Sequence, residues 1–144
     1  MQAETIFQIA NYVAVGSWAL LLIAPGSRAA RILLFGLVVP VAFAALYLAL
    51  FALYAGQAEG GFGSLLDVAL LFQHPHMLLA GWVHYLCFDL LVGIWESHDA
   101  QKLGLNRWFV VPCQILTFLL GPVGLLAYVI VRSILSRRVM HEYP

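Results

Sequence analysis

Charge is scarce in this chain. Among 144 residues there are seven Lys and Arg and seven Asp and Glu, 10% in all, where soluble domains carry about 25%. With the two signs cancelling, no basic surface points to nucleic acid and none points to an acidic partner. Cysteine is nearly absent too. Cys87 and Cys113 both sit in apolar runs, which excludes a disulfide framework and a cysteine zinc site and leaves each as a small hydrophobe. Internal repeats, low-complexity tracts, Gly-rich phosphate loops, nucleophile elbows and zinc-protease motifs are also missing. No Lys or Arg precedes the first apolar run, so it lacks the basic start of a secretory signal peptide, and it is not the Arg- and Ser-rich stretch of a transit peptide. It reads as a retained span.

What is present is apolar. The hydrophobic share is 63% and the mean hydropathy is +0.93. A soluble chain of this length could not bury so much in one core, so the solvent is lipid. Four stretches reach the roughly 20 apolar residues that a crossing requires: residues 5–24, 31–54, 77–95 and 108–135. The expected fold is a single-domain, all-α, integral membrane four-helix bundle. Pro25-Gly26-Ser27-Arg28 ends span 1 in a tight turn and makes spans 1 and 2 antiparallel neighbours. Ser64-Leu65-Leu66-Asp67 fits a capping box and opens a run too short to cross. That run reads as an interfacial helix between spans 2 and 3.

Orientation depends on span 4. If that span is continuous and merely kinked at Gly121-Pro122, Arg28, Arg31, Lys102 and Arg107 lie on one side and Arg132, Arg137 and Arg138 on the other. This is almost no bias by the positive-inside rule. If Gly121-Pro122 is a re-entrant turn, all of them share one side. The continuous span is the expectation, because non-helical backbone in lipid needs protein cover.

The chemistry concentrates in span 3. Asp89 stands near its middle, where a carboxylate costs roughly 2.5–3.5 kcal/mol on insertion scales and so marks either function or a specific partner. His84 is five residues earlier, about 140° away around the helix axis. Tyr85, Asp89 and Glu96 form one stripe; His84, Leu91 and Trp95 form another. Both stripes can meet protein only if span 3 is central. Asp89 and His84 are then candidates for an acid–base pair in an apolar cleft, or simple polar glue between helices. Trp82, Tyr85 and Trp95 are candidate ligand-lining residues, although Trp18, Trp82, Trp95 and Trp108 all fall near span ends, where aromatic belts form. His74-Pro75-His76 reads as a polar cap and Glu96, His98 and Asp99 as a solvated loop. No metal site and no cofactor is expected, and haem lacks facing axial histidines.

Trp82-Val83-His84-Tyr85, Phe88-Asp89-Leu90 and Val92-Gly93, followed by Pro112-Cys113 and Leu119-Leu120-Gly121-Pro122-Val123-Gly124-Leu125, resemble the signature of the abscisic-acid-deficient-four-like family. Plant members are plastid membrane proteins needed to make neoxanthin from violaxanthin. The resemblance implies a non-redox isomerase acting on a carotenoid or other isoprenoid lipid, with Asp89 and His84 as its acid–base residues. The lack of a transit peptide departs from the plant members and points to a bacterial cytoplasmic membrane. The competing expectation is a non-enzymatic pigment- or lipid-binding protein, or an assembly subunit of a membrane complex. A transporter would require a homo-oligomer, since one bundle shows no repeat pair.

Overall fold

A computed structural model describes residues 2–136. In chain order the helices are α1 (Ala3–Ile23), α2 (Arg28–Gln57), α3 (Leu65–Leu71), α4 (Pro75–Leu103), α5 (Arg107–Leu120) and α6 (Pro122–Ser136), and no strand occurs among the described residues. Of these, α1, α2 and α4 are long and apolar enough to cross a bilayer. Ser64 caps α3 as its sequence predicts, its hydroxyl accepting from the Asp67 amide at 3.1 Å. Leu65 and Leu66 of α3 stay exposed.

Helix α4 is the axis of the molecule. It packs against α1, α2, α5 and α6, and 56% of its most apolar stretch is buried inside the protein, against 28% for α1 and 17% for α2. The contact with α1 depends on Gly93, where the Trp18 indole lies so close that a Cβ would sit 2.7 Å from its Cζ3. Trp18 is therefore a core residue, 2% exposed, and not the belt residue its position suggests. Its ring also meets Phe118 at 5.5 Å. Trp108, 84% exposed, keeps the belt character.

Helix α2 is interrupted near its start. The Gly36 amide reaches back to the Arg31 carbonyl at 2.8 Å, closing a π-type turn over Arg31–Phe35. Leu37 then adopts a left-handed φ of 59°, a conformation that costs a side-chain-bearing residue about 1–2 kcal/mol. The helix resumes at Val38, and Pro40 falls within its first turn, where a missing N–H is tolerated. Across the interface, the Cys87 thiol donates to the Pro40 carbonyl at 3.4 Å.

Two expectations fail in the second half. Span 3 does not end at Trp95; α4 runs on to Leu103, so Glu96, His98 and Asp99 are helical and not a loop. Nor is there a continuous fourth span. In an unbroken helix Gly124 would lie about 10 Å along the axis from Thr117, yet a Cβ on Gly124 would collide with the Thr117 backbone. Tyr128 shares a buried cluster with Val110 and Cys113, which a straight helix would hold about 20 Å or more away. The chain reverses at Gly121 (φ 43°, ψ −93°), and α5 and α6 form an antiparallel hairpin. At 14 and 15 residues, each arm is roughly 21–23 Å long, short of the hydrocarbon thickness of about 30 Å. The turn survives because protein covers it: the Asp89 carboxylate of α4 sits directly against Gly121.

The reversal brings the open end of the hairpin to the α1–α2 turn. The Arg107 guanidinium donates to the Leu22 carbonyl at the end of α1, and Arg132 pairs with Asp99 near the end of α4. Arg28, Arg31, Lys102, Arg107 and Arg132 thus gather at one end of the molecule, while Glu4, Glu59 and Asp67 occupy the other. Arg137 and Arg138, which the charge count also used, lie outside the described residues. In inverted and right-side-out vesicles, cysteines introduced as Gly104→Cys and Leu135→Cys should react with a membrane-impermeant maleimide from the same side, the cytoplasmic one by the positive-inside rule. Gly61→Cys should react from the other. Labelling of Leu135→Cys from the Gly61 side would restore a continuous fourth span.

Candidate functional site

Two separate regions carry polar chemistry, and α4 holds both. The first is the interface between α4 and the hairpin, where the stripe of Tyr85, Asp89 and Glu96 faces inward as helical spacing predicts. The Tyr85 hydroxyl donates to the Phe118 carbonyl at 3.4 Å and interacts with Asp89 one turn further on. Asp89 is half-buried, and its Oδ2 has no hydrogen-bond partner. One turn below the tip, the Thr117 hydroxyl bonds Glu96 Oε1 at 2.8 Å. The Gln114 amide donates to the Gly93 carbonyl at 3.1 Å and to the Ser97 hydroxyl at 2.7 Å. At the base, Asp99 Oδ2 accepts from the Tyr128 hydroxyl at 2.7 Å and from Arg132 Nε at 2.7 Å.

Glu96 and Asp99 are 0% and 2% exposed, which overturns their reading as a solvated loop. Sequence reasoning placed them beyond the end of span 3 and therefore in water. The hairpin that folds over them could not be anticipated while residues 108–135 were taken as one rod. Their spacing was the available signal: Asp89, Glu96 and Ser97 line up with a helical face that continues past Trp95. Trp95 itself is partly exposed and packs edge-on against Tyr128 at 5.3 Å, so it contributes to this interface.

The second region is a cavity of about 790 Å³ at the opposite end. Its walls are terminal segments of α1, α2 and α4, with Phe62 and Phe72 from the α2–α4 connection at its edge. Tyr47 and Phe51 stack at 5.9 Å, and Phe51 and Phe62 at 6.2 Å. Trp82 lines it, and its indole N–H is already committed to the Asn11 side chain at 2.8 Å. His84 lines it as well, flanked by the rings of Tyr47 at 5.7 Å and Phe88 at 4.6 Å.

The candidate residues are thus divided. His84 and Trp82 belong to the cavity; Tyr85, Asp89 and Trp95 do not line it. The structure does not bring His84 and Asp89 together in one cleft, unlike the acid–base pair expected from the sequence: although α4 is central, the two residues are about 140° apart around it and only His84 lines the cavity. His74 and His76 frame Tyr54, His76 stacking on it at 3.9 Å. No group of three or more His, Cys, Asp or Glu able to hold a metal occurs among the described residues.

Breaking a buried ion pair from one side strands a charge and costs about 3–5 kcal/mol, whereas replacing both partners by apolar groups is often nearly neutral. Arg132→Met should therefore lower the thermal midpoint of the detergent-solubilised protein sharply, and Asp99→Leu combined with Arg132→Met should recover most of the loss. Equal damage from single and double replacement would mean that the pair is not the hairpin's anchor.

Comparison with known proteins gives a family match. The model of the ABA DEFICIENT 4-like family fits residues 5–128, covering α1 to α5 and the first half of α6. No curated protein and no solved structure matches. With three helices fit to cross a bilayer and a family match over most of its length, this chain is an integral membrane protein belonging to the ABA DEFICIENT 4-like family.

Proposed function

We propose that the protein binds an isoprenoid lipid of carotenoid type in the aromatic cavity and rearranges it there without redox change. The observation that carries this reading is the cavity itself: about 790 Å³ of largely apolar space, walled by stacked aromatic rings, with one imidazole in its wall. Ligand sites are of this size and character, mostly apolar with few polar groups that fix orientation. Flat rings such as Tyr47 and Phe51 suit a conjugated chain or a ring end. Membership of a family related to neoxanthin synthase supports the same ligand class.

The acid–base roles divide differently from the sequence expectation. Opening an epoxide while a neighbouring carbon loses its proton requires one proton delivered to oxygen and one removed from carbon, with no net change of oxidation state. His84 is the group placed to exchange protons with a ligand in the cavity. Asp89 serves the hairpin: its carboxyl group lies against Gly121, beside the N-terminus of α6, and covers the turn there.

Protein reconstituted into nanodiscs with carotenoids should retain pigment. Phe51→Ala and Leu78→Trp should weaken retention by about tenfold or more, and His84→Gln should retain pigment while stopping the change in its isomer composition. Asp89→Asn should lower thermal stability and leave pigment retention unchanged. Retention that survives both cavity substitutions would defeat the reading. Pigment held firmly but never altered by the wild-type chain would favour a pigment-binding protein without catalysis.

A further inference from the structure

The cavity is shallow relative to the membrane. Its lining on α4 runs from Pro75 to His84, roughly 14 Å by helical rise, in a helix of 29 residues that extends roughly 43 Å. On α1 it reaches from Ala3 to Phe7, and on α2 it reaches no deeper than Tyr47. Below that level the helices are clamped together. Cys87 is tied to the Pro40 carbonyl of α2 at 3.4 Å, with Ala14, Phe43 and Leu86 buried in the same core, while Trp82, in the cavity wall itself, is held to Asn11 of α1 at 2.8 Å. The space therefore runs along about a third of the length of α4 and has a floor.

Two features of that floor and mouth describe what enters. At the floor, His84 makes no hydrogen bond to any described residue, although it stands at a depth where polar groups need partners. At the mouth the only charged lining residue is Glu4, and every Lys and Arg of the described residues lies at the other end of the molecule.

We propose that the cavity is an end-group site: it takes a single neutral, ring-bearing terminus of a long isoprenoid down to His84 and leaves the rest of the chain in the surrounding lipid. This rests on the reading of the cavity as an isoprenoid site. Anionic polyprenyl phosphates are disfavoured, because among the described residues the mouth offers them a carboxylate and no Lys or Arg. A ligand with two identical ends is engaged at one end per binding event, so its doubly altered product forms only after release and rebinding.

Quenching of Trp82 fluorescence in nanodiscs tests this. The probes are β-carotene (two ring ends), all-trans-retinol (one ring end, half the length), lycopene (full length, no ring) and undecaprenyl phosphate as a competitor. Retinol should bind within about threefold of β-carotene, and lycopene and undecaprenyl phosphate at least about tenfold more weakly. The site-specific part of the quench should vanish in Trp82→Phe. If β-carotene binds and retinol does not, the site embraces the whole molecule; the end-group proposal is then overturned while the isoprenoid reading stands. Equal binding of lycopene, or of undecaprenyl phosphate, overturns the ring or charge selectivity. If no polyene quenches Trp82, the end-group proposal and the isoprenoid reading fall together.

Discussion

A carboxylate on a membrane helix must find its partners inside the protein, and α4 carries three. Asp89, Glu96 and Asp99 lie on the part of α4 that the hairpin covers, and each meets it at a different level: the Gly121 turn, Thr117, then Tyr128 with Arg132. Interhelical hydrogen bonds in membranes average only about 0.6 kcal/mol each. Their weight here is less in attraction than in exclusion, since any displacement of the hairpin would leave buried polar groups unpaired. The same docking covers the turn at Gly121, shields backbone that lipid would not tolerate, and sets the register of α5 and α6 on α4.

This arrangement separates structure from ligand chemistry along one helix. The lower half of α4 presents its polar residues to the hairpin. The upper part, from Pro75 to His84, meets α1, α2 and Phe72 of the α2–α4 connection, and the cavity lies among them. Trp18 packs onto Gly93 and Cys87 reaches Pro40, so α1 and α2 are held close to α4 below the cavity. Above that clamp the cavity is walled by the rings of Tyr47, Phe51, Phe62 and Trp82.

Much of this was legible in the residues. Hydropathy located α1, α2 and α4. The 140° separation of His84 and Asp89 required a central helix, and the Ser64 cap placed α3. The end of α4 and the path beyond it were not legible, because one misjudgement produced the other. Glu96, His98 and Asp99 look like a loop while their burying partner is assumed to be elsewhere, and residues 108–135 look like a span while length is the only criterion. Gly121-Pro122 admits either a kink or a reversal; only the polar series Gln114, Thr117, Tyr128 and Arg132, matched against α4, decides between them. The cavity was invisible for a different reason. It is made from terminal segments of three helices, and no local pattern records a gap between them.

The hairpin also has a consequence for how the chain tolerates change. At 14 and 15 residues, neither α5 nor α6 is long enough to cross a bilayer alone, and both carry polar residues on the face that meets α4. Their place depends on α4, whereas α1 and α2 have the length and hydropathy of spans in their own right. A substitution on the buried face of α4 therefore acts first on residues 107–136.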